Sequence, residues 1–196
     1  MVGTQMVTKG LNFENVTLVG VISADQSLYA GDYRAGERTF SLITQVVVRS
    51  GRGQKPGRAV FQTFTPGNET ILQASKQDYE AFYRSELELR QLQRTPPFRD
   101  LLAVTASGLD EGQVVQACRF VKRRLQQLIG ADPTLSLLGP TPLAVTRVNN
   151  RFRYRIHINC CCSAAIRTAI SQTVIECSTD KRFRSVSVFA DNDPTD

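Results

Sequence analysis

The sequence predicts an α/β fold in two parts, divided at the consecutive prolines Pro96 and Pro97. In the first part an apolar strand-like segment, an amphipathic helical segment and a second strand-like segment follow one another, which is the order of a βαβ unit with a parallel sheet. In the second part the patterns follow the order β-α-β-β-α-β. The predicted domains are therefore residues 1–96 and 97–196.

The first part begins with an apolar strand. Residues 16–22 form a continuous apolar run, typical of a parallel strand that is buried on both faces. Asp25 follows this strand, and ligands of such sheets bind beyond the carboxyl ends of the strands, so we expect Asp25 near a nucleotide cleft. The remaining elements predicted here are a helix over 32–49, a strand over 58–64 and one long helix over 70–94.

The second part is predicted to be a ferredoxin-like α+β sheet with its helices on one face. Residues 151–160 alternate between cationic and apolar side chains, which assigns the two faces of that strand. One face carries Arg151, Arg153, Arg155 and His157. The predicted helices cover 110–129 and 163–176, and the predicted strands cover 101–105, 135–138, 143–148, 151–160 and 184–190.

Composition favours a cytoplasmic globular protein. Apolar residues make up 41% and charged residues 21%, as in ordinary soluble proteins. No apolar run approaches the roughly 20 residues of a membrane helix, and no signal peptide is visible. The net charge is +6, and residues 97–196 carry 13 cationic against 9 acidic side chains. A basic second part favours a nucleic-acid partner.

The cysteines predict no metal site. They are Cys118, Cys160, Cys161, Cys162 and Cys177, with His157 as the single histidine. No C-x-x-C pair occurs, and neighbours on a strand point to opposite faces, so the three consecutive cysteines cannot converge on one ion. Reduced structural thiols are expected.

A donor array is predicted at the end of the 32–49 helix. Gln45, Val48, Arg49 and Arg52 recur at i, i+3, i+4 and i+7 and therefore share one helix face. Two arginines and a glutamine suit the γ-phosphate of a nucleotide. The alternative is a solvated basic stripe at a helix C-terminus, where the helix dipole favours cations.

Several short motifs in a fixed order favour the nucleotide interpretation. They are Gly3–Phe13 (GTQMVTKGLNF), Ser23-Ala24-Asp25, 34–52 (RAGERTFSLITQVVVRSGR), Lys55-Pro56-Gly57, 78–82 (DYEAF) and Pro96-Pro97-Phe98. In this order they resemble the last two motifs of superfamily 2 helicases. More narrowly, they resemble the primosomal protein N′ (PriA) family of replication-restart DNA helicases.

The resemblance implies a role for each candidate residue. Arg49 and Arg52 take the arginine-finger positions, and Gln45 orients them. Val48 stands on their face where the family has Gly, which adds bulk at a site of close approach. The family's nucleic-acid-backbone positions fall on Thr4 and Gln5, and its positions near the nucleotide ribose fall on Gly10 and Asn12. Asn12 replaces an Asp of the family, so its interaction with an arginine would weaken.

The resemblance also identifies what this sequence lacks. No G-x-x-x-x-G-K-[ST] phosphate loop and no acidic Walker-B element occurs in it. In the family these elements, and a zinc-binding insertion, precede the GTQM block. The chain thus resembles a C-terminal portion: the end of a second RecA-like lobe, then a ferredoxin-like domain. ATP with Mg²⁺ would require the other lobe, the family's zinc ligands are absent from this chain, and this portion alone is expected to be inactive.

The leading hypothesis is the C-terminal portion of an ATP-dependent 3′→5′ DNA helicase that restarts replication. The family's partners are single-stranded and forked DNA, single-stranded-DNA-binding protein and other primosome proteins. The alternatives are a non-enzymatic nucleic-acid-binding or interaction module and a degraded reading frame without function. For DNA contact we select Arg151, Arg153 and Arg155, although a solvated strand face has the same pattern. Arg119, Lys122 and Arg123 form a second basic patch, for which a solvated helix face is the favoured interpretation.

Overall fold

The computed structural model describes residues 16–49, 57–130 and 132–194. The chain divides into two compact units, Met1–Leu92 and Gln93–Asp196. This division falls four residues before the boundary predicted after Pro96. The first unit contains a parallel two-stranded sheet and the second an antiparallel four-stranded sheet, so the α/β prediction is confirmed at this level.

The first unit contains the predicted βαβ arrangement. Strand β1 (Leu18–Val21) pairs in parallel with β2 (Arg58–Phe61), and helix α1 (Ala35–Arg49) connects them in sequence. A 3-10 turn over Gln26–Tyr29 precedes α1. The helix is amphipathic, as predicted, and its buried side chains are Ala35, Thr39, Phe40, Ile43 and Val46.

One face of the two-stranded sheet is exposed. Leu18 is 62% exposed, and Val60, on the same face of the neighbouring strand, is 58% exposed. On the other face Val21 and Phe61 pack against the cluster that contains α1 side chains. The prediction that this strand is buried on both faces is therefore wrong for the described chain. An apolar run does not reveal how many layers will cover it.

The single helix predicted over 70–94 is wrong, because two helices occupy that stretch. They are α2 (Glu69–Ser75) and α3 (Tyr79–Gln93). Between them Gln77 adopts a φ of +57°, and the Asp78 carboxylate accepts a hydrogen bond from the Ala81 N–H at 3.0 Å. Asp78 thus begins a new helix as its N-cap. Phe82 of α3 is buried, whereas Tyr79, three residues earlier, is exposed.

The second unit has the predicted element order, and its strands are arranged β4-β5-β3-β6 with all neighbours antiparallel. Both helices begin at side-chain caps, since Asp110 accepts from the Gln113 N–H and Ser163 from the Ile166 N–H. The elements are β3 (Asp100–Gly108), α4 (Glu111–Ile129), β4 (Ser136–Val148), β5 (Arg151–Cys160), α5 (Ala164–Thr179) and β6 (Ser187–Asn192).

One core fills the space between the helices and one face of this sheet. Alternate residues of β3 and β5, such as Val104, Ile156 and Ile158, pack with the inward faces of α4 and α5. The inward face of α4 carries Val114, Cys118, Val121 and Leu125, which are buried, and Leu128, which packs against this core. The cationic residues of β5 therefore face away from the helices.

The two short strands predicted over 135–138 and 143–148 are one irregular strand, β4. Its pairing with β5 shifts in register after Leu138 and again after Pro142. Gly139 lies in this irregular stretch with a φ of +109°, and a Cβ there would lie 2.6 Å from the Arg155 carbonyl oxygen. Only glycine permits this approach, which lets the strand continue past the irregularity.

Candidate functional site

The end of α1 carries the described part of the predicted phosphate-contacting array. Gln45 is exposed, Val48 is 46% exposed, and Arg49 is the last residue of the helix. Gln45 and Val48 thus both lie on the solvent side of α1. Arg52 and the four upstream site residues (Thr4, Gln5, Gly10 and Asn12) lie outside the described residues, and their roles stay predictions.

A partly buried ion-pair cluster fixes the start of α1 against α3. Arg90 donates to Glu86 on its own helix and to Glu37 on α1, both at 2.9 Å, and its guanidinium lies 5.1 Å from the centre of the Tyr33 ring. Gly36 makes this possible, because a Cβ there would lie 2.8 Å from Glu86 Oε2. Glu86 and Arg90 stand four residues apart on α3, a spacing at which a helix brings opposite charges together. The link of Arg90 to Glu37, 53 residues away, left no local signal in the sequence.

Asp25 connects the carboxyl ends of β1 and β2. The carboxylate is 2% exposed and accepts hydrogen bonds from the Phe64 N–H at 2.8 Å, the Thr63 hydroxyl at 3.0 Å and the Thr65 hydroxyl at 3.4 Å. Desolvation raises the pKa of Asp25, but these hydrogen bonds outweigh it and hold the pKa below its ordinary value. The described contacts give Asp25 a structural role at the predicted cleft.

Arg151 spans the helix-free face of the second sheet. Its guanidinium donates to the Ser107 carbonyl at 2.8 Å, to the Ser107 hydroxyl at 3.2 Å and to the Ser187 hydroxyl at 3.1 Å. These bonds extend the side chain from β5 across β3 to β6. A cation held in this way retains donor capacity for an anion, because a guanidinium has five N–H groups.

The three predicted DNA-contacting arginines differ in depth. Arg153 is half-buried, and its side chain makes no hydrogen bond or ion pair within the described part of the chain. Arg155 is only 5% exposed, and its Nε donates to the Thr105 hydroxyl at 3.2 Å. His157 lies further along the same face. The surface therefore presents Arg151 and Arg153, whereas a phosphate reaches Arg155 only if its covering side chains move.

The second basic patch, on α4, is divided by a structural contact. Lys122 donates to the Gly139 carbonyl at 2.9 Å and so ties the helix to β4. Arg119 and Arg123 are exposed and make no ion pair among the described residues. This is the pattern of a solvated helix face.

The cysteines are free thiols, and the described residues contain no group of three side chains suited to a metal ion. Burial raises the pKa of the Cys118 and Cys160 thiols to about 12 and that of Cys177 to about 11. Such thiols remain protonated and unreactive. Among the described helices, none is long and apolar enough to cross a membrane.

Comparison with known proteins assigns the second unit. Residues 91–195 match the family model described as the primosomal protein N C-terminal domain. Together with the fold, this match defines the second unit as a C-terminal domain of the primosomal protein N type. The chain belongs to the primosomal protein N′ (PriA) family, as the motif order predicted.

Curated relatives extend the similarity into the first unit. The chain is 41% identical to the replication restart protein PriA of Bacillus subtilis strain 168 over 155 residues, 79% of this chain and 19% of that protein. It is 37% identical to the PriA of Synechocystis over 80% of this chain and 18% of the relative. It is 36% identical to the PriA of Chlamydia muridarum over 99% of this chain and 25% of the relative. The chain thus spans about a fifth to a quarter of the length of these relatives.

Proposed function

We propose that this chain binds DNA as part of an ATP-dependent 3′→5′ helicase for replication restart. The first unit would be the end of a second RecA-like lobe, which the parallel β1–α1–β2 arrangement supports. The second would be a ferredoxin-like DNA-binding domain, which the strand order β4-β5-β3-β6 supports. Single-stranded-DNA-binding protein and other primosome proteins are the proposed partners, and a cytoplasmic, nucleoid-associated location accords with such work.

The observation that carries the DNA-binding proposal is the cationic face of the second sheet. Arg151 and Arg153 lie side by side on the face that no helix of this unit covers. Neither arginine has an acidic partner among the described residues, so no carboxylate competes with a phosphate for their positive charge. Contacts of this kind bind nucleic acid independently of sequence and weaken with salt.

Nucleotide chemistry would use the first unit only in combination with a phosphate-holding lobe. Arg49 and Arg52 would stabilise negative charge on the γ-phosphate, with Gln45 orienting them. Thr4 and Gln5 would contact the nucleic-acid backbone. The nucleotide ribose would lie near Gly10 and Asn12. Phosphate loop and Mg²⁺ ligands would come from outside these 196 residues, and so would the zinc ligands of the family.

A double substitution tests the DNA-binding surface. Arg151→Ala/Arg153→Ala should weaken binding of the full chain to all sequences and should lower the slope of log K against log salt by about 1.4 for single strands or about 1.8 for duplex. Arg155 is left intact because its burial makes its replacement disruptive. Thermal unfolding checks that the double variant is folded.

Arg119→Ala/Arg123→Ala is the matched control, since it removes the same charge from the exposed face of α4. It should leave affinity and slope nearly unchanged. Equal weakening by both pairs would show diffuse attraction by net charge, and an unchanged Arg151→Ala/Arg153→Ala variant would show a merely solvated face.

The second candidate is a non-enzymatic nucleic-acid-binding or interaction module. One observation favours it: the second unit has a complete four-stranded sheet with its own core, independent of any nucleotide site. In that case no preparation that combines this chain with a phosphate-binding lobe gains ATPase activity, although DNA binding persists.

A further inference from the structure

Phe189 is an exposed aromatic side chain on the helix-free face of the second sheet. It lies on β6, opposite Thr105 of β3, and is 47% exposed. Its neighbour Val188 packs against the core, and alternation along a strand therefore directs Phe189 to the other face. An aromatic ring in this position presents a flat apolar surface to solvent.

The cationic residues of this face lie close to that ring. Arg151 reaches across the sheet to the hydroxyl of Ser187, two residues before Phe189 on the same face of β6. Two residues along a strand advance roughly 7 Å. Arg153 lies in the same lateral row, since Ser107 pairs with Arg153 on one side and with Ser187 on the other. A phosphate-binding row thus borders an aromatic ring.

Charges of opposite sign lie on the two sides of Phe189 and determine on which side a phosphate would bind. Asp191, two residues beyond Phe189, lies on the same face of β6 and repels phosphate from that side. The cations Arg151 and Arg153 attract phosphate on the other side. A nucleotide on this surface therefore places its phosphate at the row of Ser187 and its base over Phe189.

We propose that Phe189 stacks one base of a single-stranded nucleic acid whose adjacent phosphate contacts Arg151 and Arg153. This inference rests on the proposed DNA-binding function and specifies its substrate. Stacking requires an open base face, which a duplex covers with its neighbouring base pairs, and a sheet face binds unstacked bases in this way. Duplex DNA meets only the cations. The surface therefore prefers single strands.

The chain offers a direct reporter, because it contains no tryptophan. Phe189→Trp introduces a single fluorophore at the site, and we expect quenching when the full chain binds a short oligothymidylate but not when it binds a duplex of equal length. Phe98→Trp is the matched control: Phe98 is 39% exposed and lies in the same unit, ahead of β3. Its emission should not change with either DNA.

Affinity measurements complete the test. Phe189→Leu keeps an apolar side chain but removes the aromatic face, and it should weaken single-strand binding roughly 5- to 100-fold, the loss of one stacked base. Its duplex affinity should stay unchanged, and Phe189→Tyr should bind single strands like the parent. Thermal unfolding of each variant confirms the fold.

The outcomes separate the two claims. Loss of binding in Arg151→Ala/Arg153→Ala, without quenching of Phe189→Trp and without an effect of Phe189→Leu, overturns the stacking site and leaves phosphate binding intact. No binding of either DNA by the parent chain overturns the proposed function itself. If the emission of the Phe189→Trp variant shifts with protein concentration in the absence of DNA, Phe189 contacts a second copy, which also overturns the site.

Discussion

The first unit is expected to be the less stable half of the chain, and Phe82→Ala tests this. Phe82 is 4% exposed, and its ring stacks on that of Phe40 with centroids 4.2 Å apart, joining α3 to α1. The main buried apolar cluster of this unit has six members among the described residues, whereas that of the second unit has seventeen. Replacing Phe82 removes this stacked pair of rings from the smaller core.

The expected cost of Phe82→Ala is about 3–5 kcal/mol, the usual loss for a buried phenylalanine. Small domains are stabilised by only roughly 5–15 kcal/mol in total. The first unit also leaves the apolar Leu18 and Val60 exposed, so we place its stability at the low end of that range. The substitution should therefore unfold the first unit while the second remains folded. Leu125→Ala, in the larger core, costs about 2–5 kcal/mol and should leave both units folded.

Limited trypsin digestion of the full chain measures the difference. Cleavage should concentrate near the boundary, for example after the exposed Arg94, and leave a fragment that begins there and ends near the C-terminus. Phe82→Ala should accelerate loss of the first unit without shortening the lifetime of that fragment, and Phe82→Leu should resemble the parent. Preferential survival of residues 1–92, or a Phe82→Ala chain as resistant as the parent, would refute the reasoning.

Three further predictions concern chemistry and pH. The 196-residue chain should hydrolyse ATP no faster than background, because it has no phosphate loop to hold the γ-phosphate; DNA-stimulated phosphate release would contradict this. When this chain is joined to a complete first lobe from a relative, the chimera should gain ATPase activity. In the chimera Val48→Gly should raise that activity if the bulk of Val48 limits the site, and Arg52→Ala should abolish it. The Arg124 guanidinium, assisted by Gln172, lowers the pKa of Glu176 to about 2. The bond between α4 and α5 should therefore stabilise the second unit above the unfolded pKa near 4.5 and be lost as pH falls toward 2; Glu176→Gln should make the melting temperature of the second unit depend less on pH over that range.

Local sequence patterns are sufficient to predict most helices and strands of the second unit. β5 was predicted with its observed bounds because its alternation is uninterrupted, and α4 and α5 begin at Asp110 and Ser163, whose side chains cap them. The failures occurred where one residue changes the backbone direction. Gln77 enters the left-handed region and separates α2 from α3, and Gly139 lets one strand continue through an irregular stretch.

Contacts between distant segments of the chain have no local sequence pattern that predicts them. The pair Arg90–Glu37 and the hydrogen bond from Arg151 to Ser187 each join residues more than 30 positions apart. Periodicity assigns a residue to a face, but the partner on that face follows from strand register and helix packing. For this reason the sequence indicates the arginines of β5 but not Phe189, whose place beside them depends on β6 lying next to β3.

The burial of the arginine side chains along β5 limits which of them the proposed DNA phosphate could contact. Alternation places Arg153 and Arg155 on the same face of β5. Arg155 is nevertheless buried beside Thr105 and next to the irregular part of β4, whereas Arg153 stays accessible near the start of the strand. Both accessible arginines belong to β5, but the guanidinium of Arg151 lies over β3 and β6, so a nucleic-acid strand that followed β5 lengthwise would meet only Arg153. A strand that crosses the sheet at the level of Arg151 and Arg153 keeps both cations and meets Phe189 on β6. The proposed DNA strand would therefore cross the strands of the sheet rather than follow β5.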